Sequence, residues 1–591
     1  MSDRTSTNRS HAKRVTHTTT KRRTAVSKPQ PKKEAPTGDM VRLVPLGGLE
    51  EIGRNMMFLE YKDEIIIIDI GIQFPEEHTP GIDFIIPNVS YLELKKRNIK
   101  AILITHGHYD HIGAIPYLME KLGNPPIYAP ELTKEIIKKR QAEFPNSPKP
   151  IFNIVKPGDE CKLSEYFSVK FFEVEHNIPD SVGLLIDTPI GKVVNPGDFK
   201  MNYDKHGNLR HTEVWERLGK EDIHTFMLDS TNAAVEGRSV SEEVVEEELT
   251  KIFKRAKGRV IVGTFASLLD RIAEIIKIAE KLGRVVAISG YSMKSNVEIA
   301  KRLGVIKTKK GTLIPLEDIK KYDDNKLLIM CTGAQGEKNA SLMRIALGDH
   351  RHITLREGDE VVFSSSVIPG NERSVQTLKD NISRQGAIIY DYKMLDIHSS
   401  GHPPQDDIKA ALKFVKPRYF VPIHGYYFMR WQSAQLAQEV IGMKPEHTIL
   451  ADNGSVIEMR KDSITLTKEK IPSSYVFVDG LGVGDVGEVV LRDRRALSEE
   501  GMVVIIAVLS KHNGRILKNP DIISRGFIYL RDNKELLNEI RKRIRGIVGR
   551  IPNRQSLDVD YVKTIIRDQI GEFLFRKTRR RPMILPVIIE V

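Results

Sequence analysis

The chain has 591 residues, 40% of them hydrophobic and 29% charged, which suits a globular protein of about three to four domains. No apolar run approaches the ~18–20 residues that cross a bilayer, and the opening MSDRTSTNRSHAKRV holds no apolar stretch that could act as a secretory leader. Two cysteines, Cys161 and Cys331, can build neither a disulfide framework nor a cysteine-rich zinc site, so a cytoplasmic protein without membrane association is expected. The 91 Lys/Arg and 78 Asp/Glu leave a net charge of +13. Residues 1–38 contribute ten Lys or Arg against Asp3 and Glu34. A basic segment rich in Thr, Ser and Pro cannot bury a core and is expected to be disordered. It reads as a salt-sensitive tether for a polyanion, with a solubilising tail or a mitochondrial-type presequence as the plainer alternatives.

After this segment, VRLVPLGG (41–48) reads as a strand entering a glycine turn, and EIIIIDIG (64–71) as an apolar strand ending at Asp69. IKAILIT (99–105) is a third strand that runs straight into HGHYDHIGAIPYLMEKLG, where Ile112, Ile115, Leu118, Met119 and Leu122 recur at helical spacing. SVKFFEVEH (168–176), GKVVNPGDF (191–199) and HTFMLDSTN (224–232) are further strands that end in polar residues. The pattern is that of a layered α/β domain with its chemistry at strand ends. From about residue 243 the rhythm becomes a plain β-α alternation. RVIVGTF (259–265) precedes the helical ASLLDRIAEIIKIAEKLG (266–283), and RVVAISG, a helix near 294–303, KLLIMCTG, EVVFSSS and a helix over 371–385 follow. Buried β-branched strands between amphipathic helices predict a parallel sheet with right-handed crossovers. PQDDIKAALKFVKP (404–417) is then a helix stopped by Pro417, and RYFVPIHG (418–425) a strand. The stretch from Tyr475 onward mixes strands such as GMVVIIAVL with the basic helix ELLNEIRKRIRGIV, and reads as a separate small α+β domain.

THGHYDH (105–111) is the most specific signal. His106, His108, Asp110 and His111 lie within six residues just past a buried strand. Imidazole and carboxylate donors suit zinc, or manganese where oxygen predominates. A strand end entering a helix can aim His106 and His108 at one metal and Asp110 and His111 at a second. The alternative is a polar loop that merely contains histidines. Two metals need more donors, and His176, Asp198 and His424 stand at other strand ends. Each alone is more often a hydrogen-bonded core or surface residue, but an unfilled two-metal site would leave carboxylates and imidazoles poorly satisfied. A carboxylate bridging two metals is a device for in-line attack on a phosphodiester, and Asp198 is the natural bridge.

HGHYDH, HNIPDS and GDFK resemble the metallo-β-lactamase superfamily. LGGLEEIGRN (46–55), FPEEHTPGIDFIIP (74–87), LDSTN (228–232), CTGAQGE (331–337), SSSVIPGNE (364–372), HSSGHP (398–403), PIHG (422–425) and RRPMILPVIIEV (580–591) narrow the resemblance to ribonuclease J, from about residue 40 to the C-terminus. It implies an α/β fold, a metallo-β-lactamase αββα sandwich with an inserted β-CASP α/β domain and a small C-terminal α+β domain. The expected order is a disordered basic tail (1–39), the first part of the metallo-β-lactamase domain (40–242), the β-CASP domain (243–390), the second part (391–455), a linker (456–474) and the C-terminal domain (475–591).

The resemblance also implies an activity, hydrolysis of RNA phosphodiesters from the 5′ end and internally, in mRNA decay and rRNA maturation. Two divalent ions, zinc or manganese, would be held by His106, His108, His176 and Asp198, and by Asp110, His111, Asp198 and His424. His402 would protonate the leaving oxygen with Asp229 orienting it. Asp229 in DSTN also suits an Asx-turn cap. His398, Ser399, Ser400, Gly401 and His402 would cradle phosphate, and Ser267, Leu268 and Leu269 would supply a second contact. Partners would be single-stranded RNA with a 5′-monophosphate, a second or further copies of the chain through the C-terminal domain (homodimer or homotetramer), and an RNA-degradation complex. The chain departs from the family pattern in three places. FASLLDR stands where FASN is usually followed by an apolar residue, His and Arg, Tyr426 replaces a Glu after PIHG, and Glu50 replaces a Gly. A metallo-hydrolase of small esters or β-lactams on the same fold is opposed by the ~150-residue insertion and by HSSGH. A non-catalytic RNA-binding paralogue or scaffold subunit is opposed by the full set of ligands.

Overall fold

The computed structural model describes residues 39–75, 79–368, 370–528, 533–551 and 558–591. The expected basic tail therefore lies, apart from Asp39, outside the described residues.

Two sheets face one another. The first has eight strands in the order Ser463–Lys470, Ser455–Arg460, Val41–Gly47, Met56–Tyr61, Glu64–Ile68, Ile99–Leu103, Ile127–Ala129 and Phe152–Ile154. The second has six, in the order Tyr419–Ile423, Ile223–Asp229, Gly191–Asn195, Val182–Thr188, Ser168–Glu173 and Glu160–Lys162. The run of four isoleucines in Glu64–Ile68 follows from its position. Ile66 and Ile68 pack between the sheets, and Ile65 and Ile67 pack under the outer helices. In the second sheet Met227 faces the intersheet core, while Phe226 and Leu228 pack with the helices Gln405–Val415 and Tyr427–Ile441. The result is the αββα sandwich.

The inserted domain is built on a six-stranded sheet, all parallel, in the order Leu313–Ile314, Val285–Ser289, Leu327–Cys331, Val260–Gly263, Glu360–Phe363 and Ile388–Asp391. Its helix Leu269–Lys281 buries Leu269, Ile272, Ile275, Ile276 and Ala279, the spacing of one helical face. The chain leaves the sandwich after Ile223–Asp229 and returns in Tyr419–Ile423, which pairs in parallel with it and sets Asp229 opposite Ile423. The insertion is thus an enlarged crossover between two neighbouring strands. It brings Asp229 and His424 together although nearly 200 residues separate them.

Two expectations need correction. The stretch expected as a linker, 456–474, is a hairpin of the first sheet, with Val41 opposite Met459 and Leu43 opposite Ile457. Its outer strand Ser463–Lys470 is an edge strand with mostly exposed side chains, so its charged residues gave it the look of a connector. The helical run after HGHYDH is two short helices, Tyr109–Ile112 and Ile115–Leu118, rather than one.

The stretch from Tyr475 is anchored on the sandwich through Val476–Asp479, which pairs with Phe84–Ile86. Beyond it, Asp521–Arg525, Met502–Leu509 and Met583–Glu590 form a three-stranded sheet. Val503, Ile505 and Ile584 on one face pack with Ile540, Ile544, Ile566 and Ile570 of the helices Lys534–Gly549 and Val559–Thr578. On the other face Val504 stands opposite Leu585, Ile506 opposite Val587 and Val508 opposite Ile589, and Leu585, Val587 and Ile589 are exposed.

Candidate metal centre

The first histidines emerge from the end of Ile99–Leu103. Thr105 is pinned there by Asp69, whose carboxylate accepts from the Thr105 amide and hydroxyl, both at 2.9 Å. The same carboxylate takes the Nδ1 side of His111 at 2.8 Å, so Nε2 of His111 points inward. His176 follows the strand Ser168–Glu173, and its Nδ1 donates to the Gly401 carbonyl at 2.8 Å, again leaving Nε2 as the inward atom. Asp198 sits in the turn after Gly191–Asn195. Gly197 in that turn has φ +66°, and a Cβ on it would lie 2.9 Å from Cβ of Thr105. His424 follows Tyr419–Ile423 with φ +49°, a left-handed conformation uncommon for a non-glycine residue.

Two donor sets that share Asp198 stand side by side, and Asp198 also groups with Asp229, His402 and His424 in a third. One consists of His106, His108, His176 and Asp198, the other of Asp110, His111, Asp198 and His424, and within each set the donor atoms lie within 4.8 Å of one another. In the first, Nδ1 of His108 is 3.1 Å from Nε2 of both His106 and His176. Burial and neighbouring imidazoles hold His106 and His176 well below the usual histidine range, and burial takes His108 down to about 4. Neutral imidazoles converging in this way present lone pairs to one point. In the second set Asp198 lies 3.3 Å from His111 and 2.9 Å from His424. Burial opposes charge on His111 and His424, yet the carboxylates, Asp198 foremost, raise both. Asp198 and Asp110 stay below the ordinary carboxylate range despite burial, because of these imidazoles.

Oδ2 of Asp198 and Nδ1 of His424 are buried without a hydrogen-bond partner among the described residues. Buried polar atoms in native proteins are seldom left so. The donor chemistry and these unmatched atoms fit divalent metal ions.

Beside the two sets, Nδ1 of His402 is 2.8 Å from Oδ2 of Asp229 and 3.7 Å from Asp198. Burial disfavours the charged ring, but Asp229 and Asp198 outweigh it and push His402 up to about 9. Oδ1 of Asp229 accepts from the Thr231 amide at 2.9 Å. The Asx-turn and the imidazole partner are thus both realised, on different oxygens.

The phosphate-loop residues fall close by. Gly401 backs onto His176 and Asn177, where a Cβ would come within 2.5 Å of each, and the Ser400 hydroxyl accepts from Asn232 at 2.9 Å. His398 and Ser399 line a cavity of about 220 Å³ on the His176 side of the centre, and Leu268 is also in its wall. Leu269 is fully buried in the core, and only its backbone could meet a ligand. Two contributors went unassigned in the sequence. Asn55 places Nδ2 at 3.0 Å from His111 Nε2 and 3.1 Å from His424 Nε2, and Asp69 orients His111. They lie in LGGLEEIGRN and EIIIIDIG, and neither carries a spacing that points to the centre. Glu50 takes φ +62°, where its amide donates to the Gly425 carbonyl at 3.1 Å, and Tyr426 stacks on Phe428.

Family models match this chain in four stretches. They are the metallo-beta-lactamase superfamily over 50–208, the ribonuclease J beta-CASP domain over 257–382, the Zn-dependent metallo-hydrolase RNA specificity domain over 392–449 and the ribonuclease J C-terminal domain over 489–591. Ribonuclease J 1 of Streptococcus pyogenes is 39% identical over 93% of this chain and 97% of its own. The chain belongs to the ribonuclease J family. Ribonuclease J2 of Bacillus subtilis is 35% identical over 93% of this chain and 99% of its own, and ribonuclease J 2 of Staphylococcus aureus 36% over 93% and 98%. A crystal structure of a protein of unknown function from Enterococcus faecalis V583 shares the fold, with a TM-score of 0.50 and 17% identity over 71% of this chain and 100% of that one. As a ribonuclease J family member the chain is a metal-dependent ribonuclease with a β-CASP insertion. Among the described residues no helix is long and apolar enough to cross a membrane.

Proposed function

We propose that the chain hydrolyses phosphodiester bonds of single-stranded RNA, as a 5′-to-3′ exonuclease that also cuts internally, in mRNA decay and rRNA maturation in the cytoplasm. The observation that carries this reading is the His402–Asp229 pair standing 3.7 Å from Asp198, the carboxylate common to both donor sets. His106, His108, His176 and Asp198 would hold one divalent ion, and Asp110, His111, Asp198 and His424 the other, with zinc favoured by the imidazole-rich first set and manganese as the alternative. Two such cations would supply charge compensation at the phosphate and a lowered pKa for water.

The protein's own residues do the rest. His402 carries a proton on the edge of the centre and gives it to the departing 3′ oxygen. Asp229 fixes the ring through Nδ1 at 2.8 Å and, with Asp198, favours its protonated form. Products would carry a 5′-phosphate and a 3′-hydroxyl. The Ser399–Gly401 turn would position the phosphate chain, and the cavity beyond it, about 220 Å³ in volume, would receive the 5′-terminal nucleotide. A 5′-monophosphate is the terminus that family resemblance leads one to expect there.

A second copy of the chain is the proposed occupant of the bare aliphatic face formed by Val504, Ile506, Val508, Leu585, Val587 and Ile589. Its strands pair in register, so the face is continuous, and larger apolar patches mark association sites. Either a homodimer or a homotetramer satisfies it. The test of the activity is a time course on RNA labelled at either end. Mononucleotides released from the 5′ end are expected, and internal fragments alone would contradict the exonuclease.

A further inference from the structure

Three residues after His424 the chain enters the helix Tyr427–Ile441, whose first two turns carry Tyr427, Phe428 and Trp431. These three side chains are 51%, 56% and 46% exposed, while Arg430, Ala434 and Ala437 on the same helix are buried. Positions 427, 428 and 431 are i, i+1 and i+4, so the three rings share one face and leave the inner face to the core. At 1.5 Å rise per residue, Trp431 stands about 6 Å beyond Tyr427 along the axis, so the whole group lies at the end nearest the metal centre. Single exposed apolar residues are ordinary on a protein surface, but a contiguous group of large rings marks a place of contact.

The turn that carries this ledge is tied to the centre. Gly425, next to His424, donates its amide to the Gly48 carbonyl at 3.1 Å, and its own carbonyl accepts from the Glu50 amide at 3.1 Å and from Nε of Arg430 at 3.0 Å. Arg430 is fully buried, and its guanidinium lies 5.7 Å from the centroid of the Tyr427 ring. The Phe428 ring lies nearly parallel to that of Tyr426, with 8° between the planes and centroids 6.5 Å apart. One short segment therefore places both a metal donor and the rings, and it sets their orientation before a ligand arrives.

The reaction supplies the occupant. A ribonuclease lays a single strand across its centre, and unpaired bases stack on aromatic side chains whatever their sequence. The cavity described above adjoins His176 of the first donor set, whereas the ledge follows His424 of the second. On the proposed reading of that cavity as the seat of the 5′-terminal nucleotide, we infer that Tyr427, Phe428 and Trp431 form a stacking platform for bases on the 3′ side of the scissile bond. The platform positions the strand and takes no part in bond cleavage. Its grip is sequence-tolerant, since every base offers a π face.

The chain holds two tryptophans and Trp215 is buried, so fluorescence of Trp431 reports on the ledge directly. Rapid mixing of the full-length, metal-loaded enzyme with single-stranded RNA should quench it before the first cleavage, and Trp431→Phe should abolish the quench. No quench in the wild type, or one of equal size in Trp431→Phe, would overturn the platform. Its place along the strand is tested with RNA made abasic at nucleotides 2 and 3, which keeps every phosphate. Wild-type kcat/KM should fall by about tenfold on that RNA, through KM, as expected for the loss of one stacked base. The combined variant Tyr427→Ala, Phe428→Ala and Trp431→Ala should show a similar loss on intact RNA and little further loss on abasic RNA, while Phe428→Tyr and Trp431→Tyr together should keep the wild-type ratio. The ratio of intact to abasic RNA cancels any loss of folded enzyme, and an equal ratio in wild type and combined variant would contradict the inference. If nothing is released from the 5′ end, the exonuclease reading beneath it fails instead, and abasic nucleotides placed 3′ of the mapped internal cut decide the platform. An unchanged ratio with a shift toward monomer in sedimentation velocity would assign the rings to a second copy of the chain.

Discussion

The metal centre and the cavity beside it share a wall, His176, and both are rich in carboxyl groups, yet they are electrostatic opposites. In the centre the carboxylates of Asp198 and Asp110 are set among imidazoles rather than among Lys or Arg cations. Oδ2 of Asp198 and Nδ1 of His424 are buried without a hydrogen-bond partner among the described residues, and neutral imidazoles converge on a single point. In the cavity the counter-charges are present but already bound, since Glu242 holds both Lys200 and Arg271. Acidic composition therefore does not decide what a site takes. Pairing does: unmatched acceptors call for cations, and carboxylates already matched by Lys or Arg do not.

The sharpest way to break this contrast is to remove a shared donor. Asp198→Ala and His106→Ala should abolish turnover, a loss well beyond the ~10–100-fold typical of groups that stand behind metal ligands, while circular dichroism and thermal unfolding show an intact fold. Normal turnover in both variants would refute the donor sets. His402→Ala should lower kcat by roughly 10²–10⁴-fold with the metal content unchanged, as loss of a general acid does and loss of a ligand does not. Asp69→Asn sharpens the picture one layer out. It weakens the acceptor that orients His111, so metal affinity measured by competition with a chelator should fall by about 10–100-fold, with a smaller change in kcat at saturating metal. Least affected in turnover should be Val587→Lys, which places a charge on the bare C-terminal sheet. Its expected effect is on assembly, a shift toward monomer in sedimentation velocity with near-normal activity per chain.

The parts of the centre that were legible in the sequence are those whose residues are neighbours in the chain. His106, His108, Asp110 and His111 announce themselves because a strand end entering a helix projects all four into one small volume. His176, Asp198 and His424 are single residues at the ends of other strands, and only their joint occurrence with the first cluster and a family resemblance tied them to it. Why they meet is a matter of topology. Parallel pairing of Ile223–Asp229 with Tyr419–Ile423 across the inserted domain carries His424 to Asp229, which no local pattern encodes. Asn55 and Asp69 escaped notice because their roles depend on a neighbour distant in sequence, and the side chains are common at turns. The hairpin over 455–470 escaped for a different reason. An edge strand exposes one long side to solvent, and its charges there look like those of a connector.

The cavity wall shows the complementary limit. FASLLDR was visibly unusual, but only the structure sets Asp270 in one cavity with Glu242, Lys200 and Arg271, which lie on separate elements. Leu268 does reach that wall, whereas Leu269 turns into the core as the helical period requires.

The most direct measurement is elemental analysis paired with anomalous X-ray scattering on enzyme purified without chelator and shown to be active on RNA. Two divalent cations per chain are predicted, one among His106, His108 and His176 and one among Asp110, His111 and His424, with Asp198 between them. Full activity in protein whose centre carries no cation would contradict the account.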